Sequence, residues 1–483
     1  MKPILFKCAA GGRTFASLAL ALAGLLLGSG TPAPARDLPA TQESLLYSLD
    51  TGVQSNDSTS EVVAFKTAIL APTDPNTIRI HFNAFNLGQR SYLALTSVRD
   101  GGRQKLDTVS MGYWQSTSAI FNGDQVQLEL VVAPGEQGIF AQVDYLVTEC
   151  KTCGSRVKDV TPSGFPETLC GADSRVASTD NRVGRINGCT AWLVSNGGVL
   201  TAGHCGPVSG VFEVNVPASS ASGVTVASAP EDQFPIDLTK RTSVNNGAGD
   251  DYTVFGLLPN NSTGNRAHLL YGFFRMSRET PAAAATIRIT GFGVDNTPAG
   301  PVANCCAWDS GGACTHPNCN AQSRTLQTAT GPYVAEVVNS TTNVSHTYQT
   351  DSEPANSGSP ILWNANGFAV GIHTHGGCTS GGGGSNSGTS FEHNGLESLL
   401  QGFLGANTKY VDAVTYPNAP VENGTIFQPY NTVTEAVATV VSGGRIAIVE
   451  GAYTKLAGNT MTMGADGKAF TVLAPVGTVT IGN

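Results

Sequence analysis

Three short phrases of the sequence hold side chains that could act together. Ser357 lies in Ala355–Pro360, "ANSGSP", between small residues and just ahead of the apolar run Ile361-Leu-Trp363. A serine so placed either closes a tight turn or is a nucleophile around which backbone N–H groups converge on the oxygen of an attacked carbonyl. His204 ends the phrase Ile186–Cys205, "INGCTAWLVSNGGVLTAGHC", where an apolar strand, a glycine turn and a second strand deliver it beside a cysteine. Carboxylates open the apolar run of Gly249–Leu257, "GDDYTVFGL". A serine hydroxyl is a weak nucleophile at neutral pH, a histidine can take its proton, and a carboxylate can hold the imidazole in the right tautomer. Taken singly, each phrase also has a plain structural reading: a turn serine, a packed strand histidine, a solvated loop acid.

The elements around these phrases are strands. With 483 residues the chain exceeds one ordinary core, so two or three domains are expected. Residues 36–150 alternate with period two in "TIRIHFNAF", "SYLALTSV" and "AIFNGDQVQLELVV", separated by turn formers, which reads as a β-sandwich. Residues 151–185 are polar and rich in turn formers and arginine, a linker with sites for processing. Short strands return over 186–405 as a second all-β domain. Over 410–483, "YNTVTEAVATVVSGG" has apolar residues at helical spacing, and "RIAIVEGAY" and "FTVLAPVGTVTIGN" follow as short strands. The fold class expected is therefore mainly β throughout.

The first 35 residues carry Lys2, Lys7 and Arg13, then the apolar run Ser17–Gly28, then Ala33-Pro-Ala35, which reads as a secretory signal peptide. The apolar run is shorter than the roughly 20 residues a membrane helix needs, and no later segment is long and apolar enough to span. Without residues 1–35 the chain holds 24 Lys and Arg against 36 Asp and Glu, a net charge of −12. That acidity disfavours nucleic acid as a partner. Ten cysteines remain, at 150, 153, 170, 189, 205, 305, 306, 314, 319 and 378, and an even number in an exported chain argues for disulfides. Cys189 and Cys205 fall at facing ends of two strands, well placed to bridge. Cys305, Cys306, Cys314, His316 and Cys319 match no common zinc spacing, so neither a metal nor a cofactor is expected.

"TAGHC" after "GCTAWLV" is similar to the segment around the catalytic histidine of chymotrypsin-fold serine peptidases. That family's next member is an aspartate followed by an apolar, a small, an aliphatic and an apolar residue. Asp251-Tyr-Thr-Val-Phe255 fits this pattern, whereas Asp250 is one residue out of register. "NSGSP" followed by "ILWNANGFAVGIHTHGG" resembles the nucleophile loop and next strands in the variant found in bacterial glutamyl endopeptidases. The resemblance spans about 186–380 and implies two six-stranded β-barrels with a cleft site of His204, Asp251 and Ser357. It also implies an oxyanion hole from the backbone N–H groups of Ala355 and Ser357, and hydrolysis of protein or peptide substrates. The N-terminal region resembles, less specifically, the β-rich regions that precede the peptidase unit in some secreted bacterial endopeptidases. The tail resembles the start of a pectate-lyase-like parallel β-helix. A fragment of so few coils must lean on another surface, and it leaves open a glycan or surface contact.

Two departures from the family pattern stand out. Glycine usually occupies the position of Ala355, and alanine has less freedom to turn its N–H inward. Asn356 replaces the aspartate that pairs with a new N-terminal ammonium in the animal digestive enzymes, so that switch is not expected; Ile186 is also too near Cys189 to insert. Specificity is contested. Asp351 stands where trypsin carries the acid that binds Arg or Lys, but Asp351-Ser352 also suits the glutamyl endopeptidases. His373 stands where those enzymes contact an acidic side chain, and the balance tips towards an acidic substrate residue. The competing class is a silent secreted binding or adhesion protein on a peptidase fold. A polysaccharide lyase is disfavoured because the tail shows neither paired carboxylates nor a calcium pattern.

Overall fold

The structure is a computed structural model, and it describes residues 42–149, 169–186, 188–206, 210–220, 224–295, 322–379, 381–414, 416, 422–459 and 467–482. The signal segment 1–35, Cys150, Cys153 and the Cys305–Cys319 cluster lie outside them.

Residues 42–149 build two sheets over one core. Gln42–Asp50, Gln137–Glu149, Thr77–Asn86 and Phe121–Asn122 run in one; Val62–Leu70, Gln125–Val132, Tyr92–Ser97 and Arg103–Leu106 run in the other. The period-two pattern does the sorting, because successive side chains of a strand point to opposite faces. Ile78, Ile80 and Phe82 of one sheet and Val126, Leu128 and Leu130 of the other all turn into the same core around Trp114.

The double barrel implied by the resemblance is what the chain builds. In the first barrel, Val183–Ile186, Cys189–Leu193, Val199–Thr201, Asp251–Leu257, Gln233–Asn245 and Val211–Glu213 close on themselves. In the second, Gln327–Ser340, Thr286–Gly291, Pro360–Trp363, Ala369–His375, Asn386–Ser390 and Asn343–Tyr348 follow one another and pair back onto Gln327–Ser340. Phe212, Phe234 and Phe255 fill the first core, and Ile289, Tyr348 and Ile361 the second. Trp192, Leu362, Ile372 and Phe391 belong to a cluster that both barrels share.

The described part of the stretch read as a linker, 169–185, is not one. Cys170 is bonded to Cys378, Val176–Ala177 pairs with the second barrel, and Val183–Ile186 is a strand of the first. Polar, turn-rich composition looks the same in a free linker and in a strap whose groups are satisfied by a neighbouring domain. In the tail, Thr408–Val411, Arg445–Ile448 and Thr471–Leu473 lie parallel in register, as do Gly451–Tyr453 and Val479–Ile481. A capping box of Thr432 and Glu435 starts the helix Val433–Thr439. This small unit leans on the barrels: Tyr410, Ile426 and Phe427 join the shared cluster, Val449 and Val476 join the first barrel's core, and Arg275 pairs with Asp412. Among the described residues no helix is long and apolar enough to cross a membrane.

Candidate active site

The strand Val199–Thr201 runs into a single 3-10 turn, Gly203–Cys205, that carries His204. Position 203 must be glycine. A Cβ there would fall 1.7 Å from the Val244 carbonyl oxygen and 2.8 Å from Asp251 Oδ1. That close approach brings the histidine onto the carboxylate: His204 N–H donates to Asp251 Oδ1 (2.8 Å), and His204 Nδ1 lies 2.5 Å from Oδ2. Asp251 is fully buried at the head of Asp251–Leu257, and its backbone exchanges hydrogen bonds with Thr389 Oγ1 of the second barrel. Asp250 turns elsewhere, with Oδ1 3.0 Å from His393 Nε2 and Oδ2 accepting from Asn246.

Ser357 arrives from the other barrel. Its carbonyl accepts from Thr190 N–H (2.9 Å), and Gly358 at φ +91° lies so close to the histidine-bearing strands that a Cβ would meet the Thr190 carbonyl oxygen at 2.1 Å and Thr201 Oγ1 at 2.2 Å. Ser357 Oγ is buried and finds no hydrogen-bond partner among the described residues. Ala355 is held at φ +80°, a region that costs a residue with a Cβ on the order of 1–2 kcal/mol. Thr190 Oγ1 donates to the Ala355 carbonyl oxygen (2.9 Å) and so fixes which way that residue turns. Among the described residues neither Ala355 nor Ser357 has an acceptor for its N–H. Thr190 therefore positions the nucleophile loop at two points. Its only mark in the sequence is its place beside Cys189, too slight to single it out. Cys189 and Cys205 form a disulfide flanking the histidine; although both sulfurs lie near the His204 ring, bonded sulfurs offer no thiolate to a metal.

Residues 174–389 match the family model Trypsin. They form a trypsin-like serine protease domain. A domain of this class is that of a serine endopeptidase, a hydrolase acting on protein or peptide. Among solved structures, a Glu endopeptidase in complex with MPD aligns at 19% identity over 48% of this chain and 97% of its own, with a TM-score of 0.33. A thermostable serine protease from an extremophilic microorganism aligns at 13% identity over 45% and 98%, with a TM-score of 0.31. No curated protein matches the chain.

Within the protease domain the three residues expected to line the substrate pocket have different surroundings. Asp351 gives one oxygen to Cys170 N–H (2.7 Å) and the other to the N–H (2.8 Å) and hydroxyl (2.5 Å) of Ser174. Its charge is thus already committed to the 169–175 strap. Ser352 is buried, and its hydroxyl accepts from Asn386 Nδ2. His373 is buried with Nδ1 2.5 Å from Tyr348 Oη, and burial, reinforced by His375 and His204, pulls it down to about 3. His375, not among the residues expected at the site, meets the His204 ring edge-on at 5.9 Å, with Nδ1 3.9 Å from Asp251 Oδ2. Burial holds it at about 4, the Asp251 charge opposing. Its signal was the second histidine of "GIHTHGG".

The buried histidines predict an acid limit on stability. Burial also pulls His268 and His346, each hydrogen-bonded to a backbone carbonyl, down to about 4. Unfolded, all four take up a proton near pH 6.5, whereas folded they resist it until about pH 3–4. The contribution is therefore intact above about pH 6.5 and is lost as pH falls, by up to about 1.4 kcal/mol per pH unit for each group. Melting temperature followed by circular dichroism should fall steeply from pH 6.5 to 4, and His268→Gln should flatten the slope. A profile level over that range would contradict this.

Proposed function

We propose that the protein cleaves peptide bonds through an acyl-enzyme formed on Ser357. His204 takes the hydroxyl proton as Oγ bonds to the scissile carbonyl carbon, and Asp251 holds the imidazole and offsets its charge. The N–H groups of Ala355 and Ser357 receive the oxyanion. Collapse breaks the C–N bond, and the same proton leaves with the amine; water then repeats the sequence and restores the serine. The observation that carries this reading is the doubly bonded Asp251–His204 pair, 2.8 Å to the backbone N–H and 2.5 Å to Nδ1. It also speaks against a silent binding protein, which has no need of a buried, oriented carboxylate. The Cys170–Cys378 and Cys189–Cys205 disulfides support an exported protein. The parallel strands and cap helix of the tail support opening coils of a β-helix.

The side chain cleaved after is acidic in this reading. Asp351 is satisfied by the strap, which leaves His373 to meet the substrate through Nε2. In the free protein His373 is neutral near pH 7, and a substrate carboxylate would favour its protonated form. Labelling by a fluorophosphonate probe tests the nucleophile. A peptide-library digest of wild type and His373→Ala tests the pocket. We expect cleavage after Glu, weakening above the histidine's pKa in the complex and lost in the variant. Cleavage after Arg or Lys unchanged in both proteins would refute the histidine pocket.

A further inference from the structure

The two-sheet unit of residues 42–149 meets the first barrel through buried amide side chains that bond across the junction. Gln233, fully buried, accepts from Ile120 N–H and donates to the Ile120 carbonyl, both at 2.8 Å. Asn122, also buried, repeats the arrangement in the opposite direction: it donates to the Ala227 carbonyl (3.0 Å) and accepts from Ala227 N–H (2.8 Å). Each amide thus stands in for a missing strand neighbour, one supplied by each side. Around them the Trp114 indole donates to Asn261 Oδ1 (2.6 Å), Gln115 donates to the Ile236 carbonyl (2.8 Å), and Asn261 donates to the Lys105 carbonyl. Val211 of the barrel is counted in the core of the two-sheet unit, not in its own barrel's. Pulling the two apart would trade these hydrogen bonds for bonds to water and would uncover Trp114 and Val211, so lost apolar burial adds to the lost direct bonds and makes separation costly.

The location matters as much as the bonding. Leu258 N–H bonds to the Pro235 carbonyl at the end of the barrel where Gln233 and Ile236 contact the two-sheet unit, whereas Asp251 opens the same strand at its other end. Seven residues of strand separate these ends by about 20 Å. Among the described residues no hydrogen bond from 42–149 reaches Asp251 or Ser357.

From these contacts we propose that residues 42–149 are a permanent partner of the protease domain. They stay docked on the first barrel after the chain between residues 149 and 169 is cut, and they do not occlude the site. The test uses the full chain with a recognition sequence for an unrelated site-specific protease inserted within 151–168. After cutting, both fragments should elute together in size-exclusion chromatography at about 1 μM, a concentration at which a complex with a Kd of about 1 μM would be more than half dissociated. The rate of fluorophosphonate labelling should stay within twofold of the uncut chain. In the Asn122→Ala, Gln233→Ala double variant the cut fragments should separate while the uncut chain still runs as a single species. Separation of the cut wild-type fragments would overturn the proposal. So would a rise of about tenfold or more in labelling on cutting, the behaviour of an inhibitory pro-segment whose removal uncovers a nucleophile. Co-elution does not depend on catalysis, so this outcome is independent of whether the triad assignment holds.

Discussion

Ser357→Ala is expected to lower peptide hydrolysis by about a million-fold in kcat and to abolish fluorophosphonate labelling. The scale follows from the chemistry: without Oγ no acyl-enzyme forms, and what remains is catalysis by binding and the oxyanion donors, about 10³–10⁴ above the uncatalysed rate. The structure keeps this variant interpretable. The loop is held by Thr190, which bonds the Ser357 and Ala355 carbonyls, and by Gly358 N–H bonding the His373 carbonyl, none of which involves Oγ. Ser357 Oγ has no partner among the described residues to lose, so the variant should melt within about 0.5 kcal/mol of wild type. Full turnover in Ser357→Ala, in a preparation free of contaminating protease, would remove Ser357 from the mechanism.

What could be read from the chain and what could not divides by range. The histidine phrase, the aspartate strand and the serine loop each carry their geometry locally: a glycine that allows His204 to approach Asp251, a strand head that buries Asp251, a Ser-Gly turn pressed on a neighbouring strand. Period-two alternation likewise placed the two-sheet unit, because which face is buried follows from the spacing alone. What the chain does not show locally turns on partners far away in sequence. Asp351 resembles an open pocket acid until Cys170 and Ser174, nearly 180 residues earlier, take both its oxygens. The 169–185 stretch resembles a free linker because its polar groups are satisfied by the second barrel and not by one another. Thr190 and His375 matter through loops and carboxylates that the chain brings to them only on folding.

The neighbouring aspartates give a sharper test than the serine, since a shift of one residue exchanges their roles. Asp251→Asn should cost about 10⁴-fold in kcat at neutral pH. An amide at this position presents an N–H towards His204 Nδ1, where the carboxylate presents only lone pairs. Nδ1 must then accept, which places the ring proton on Nε2, the nitrogen that has to take the proton of Ser357. The amide also cannot offset the charge of the imidazolium that forms. The volume is unchanged, and the amide oxygen can still accept from His204 N–H, so the fold and the Cys189–Cys205 disulfide should persist. Asp250→Asn leaves all of this untouched. That carboxylate faces His393 and Asn246, and the amide keeps its volume, so turnover should stay within about fivefold. Steady-state kinetics on one peptide substrate, with labelling rates and melting temperatures for both variants, separate the predictions. A larger loss for Asp250→Asn than for Asp251→Asn would transfer the catalytic carboxylate to position 250. It would also mean that His204 turns away from Asp251 when substrate binds.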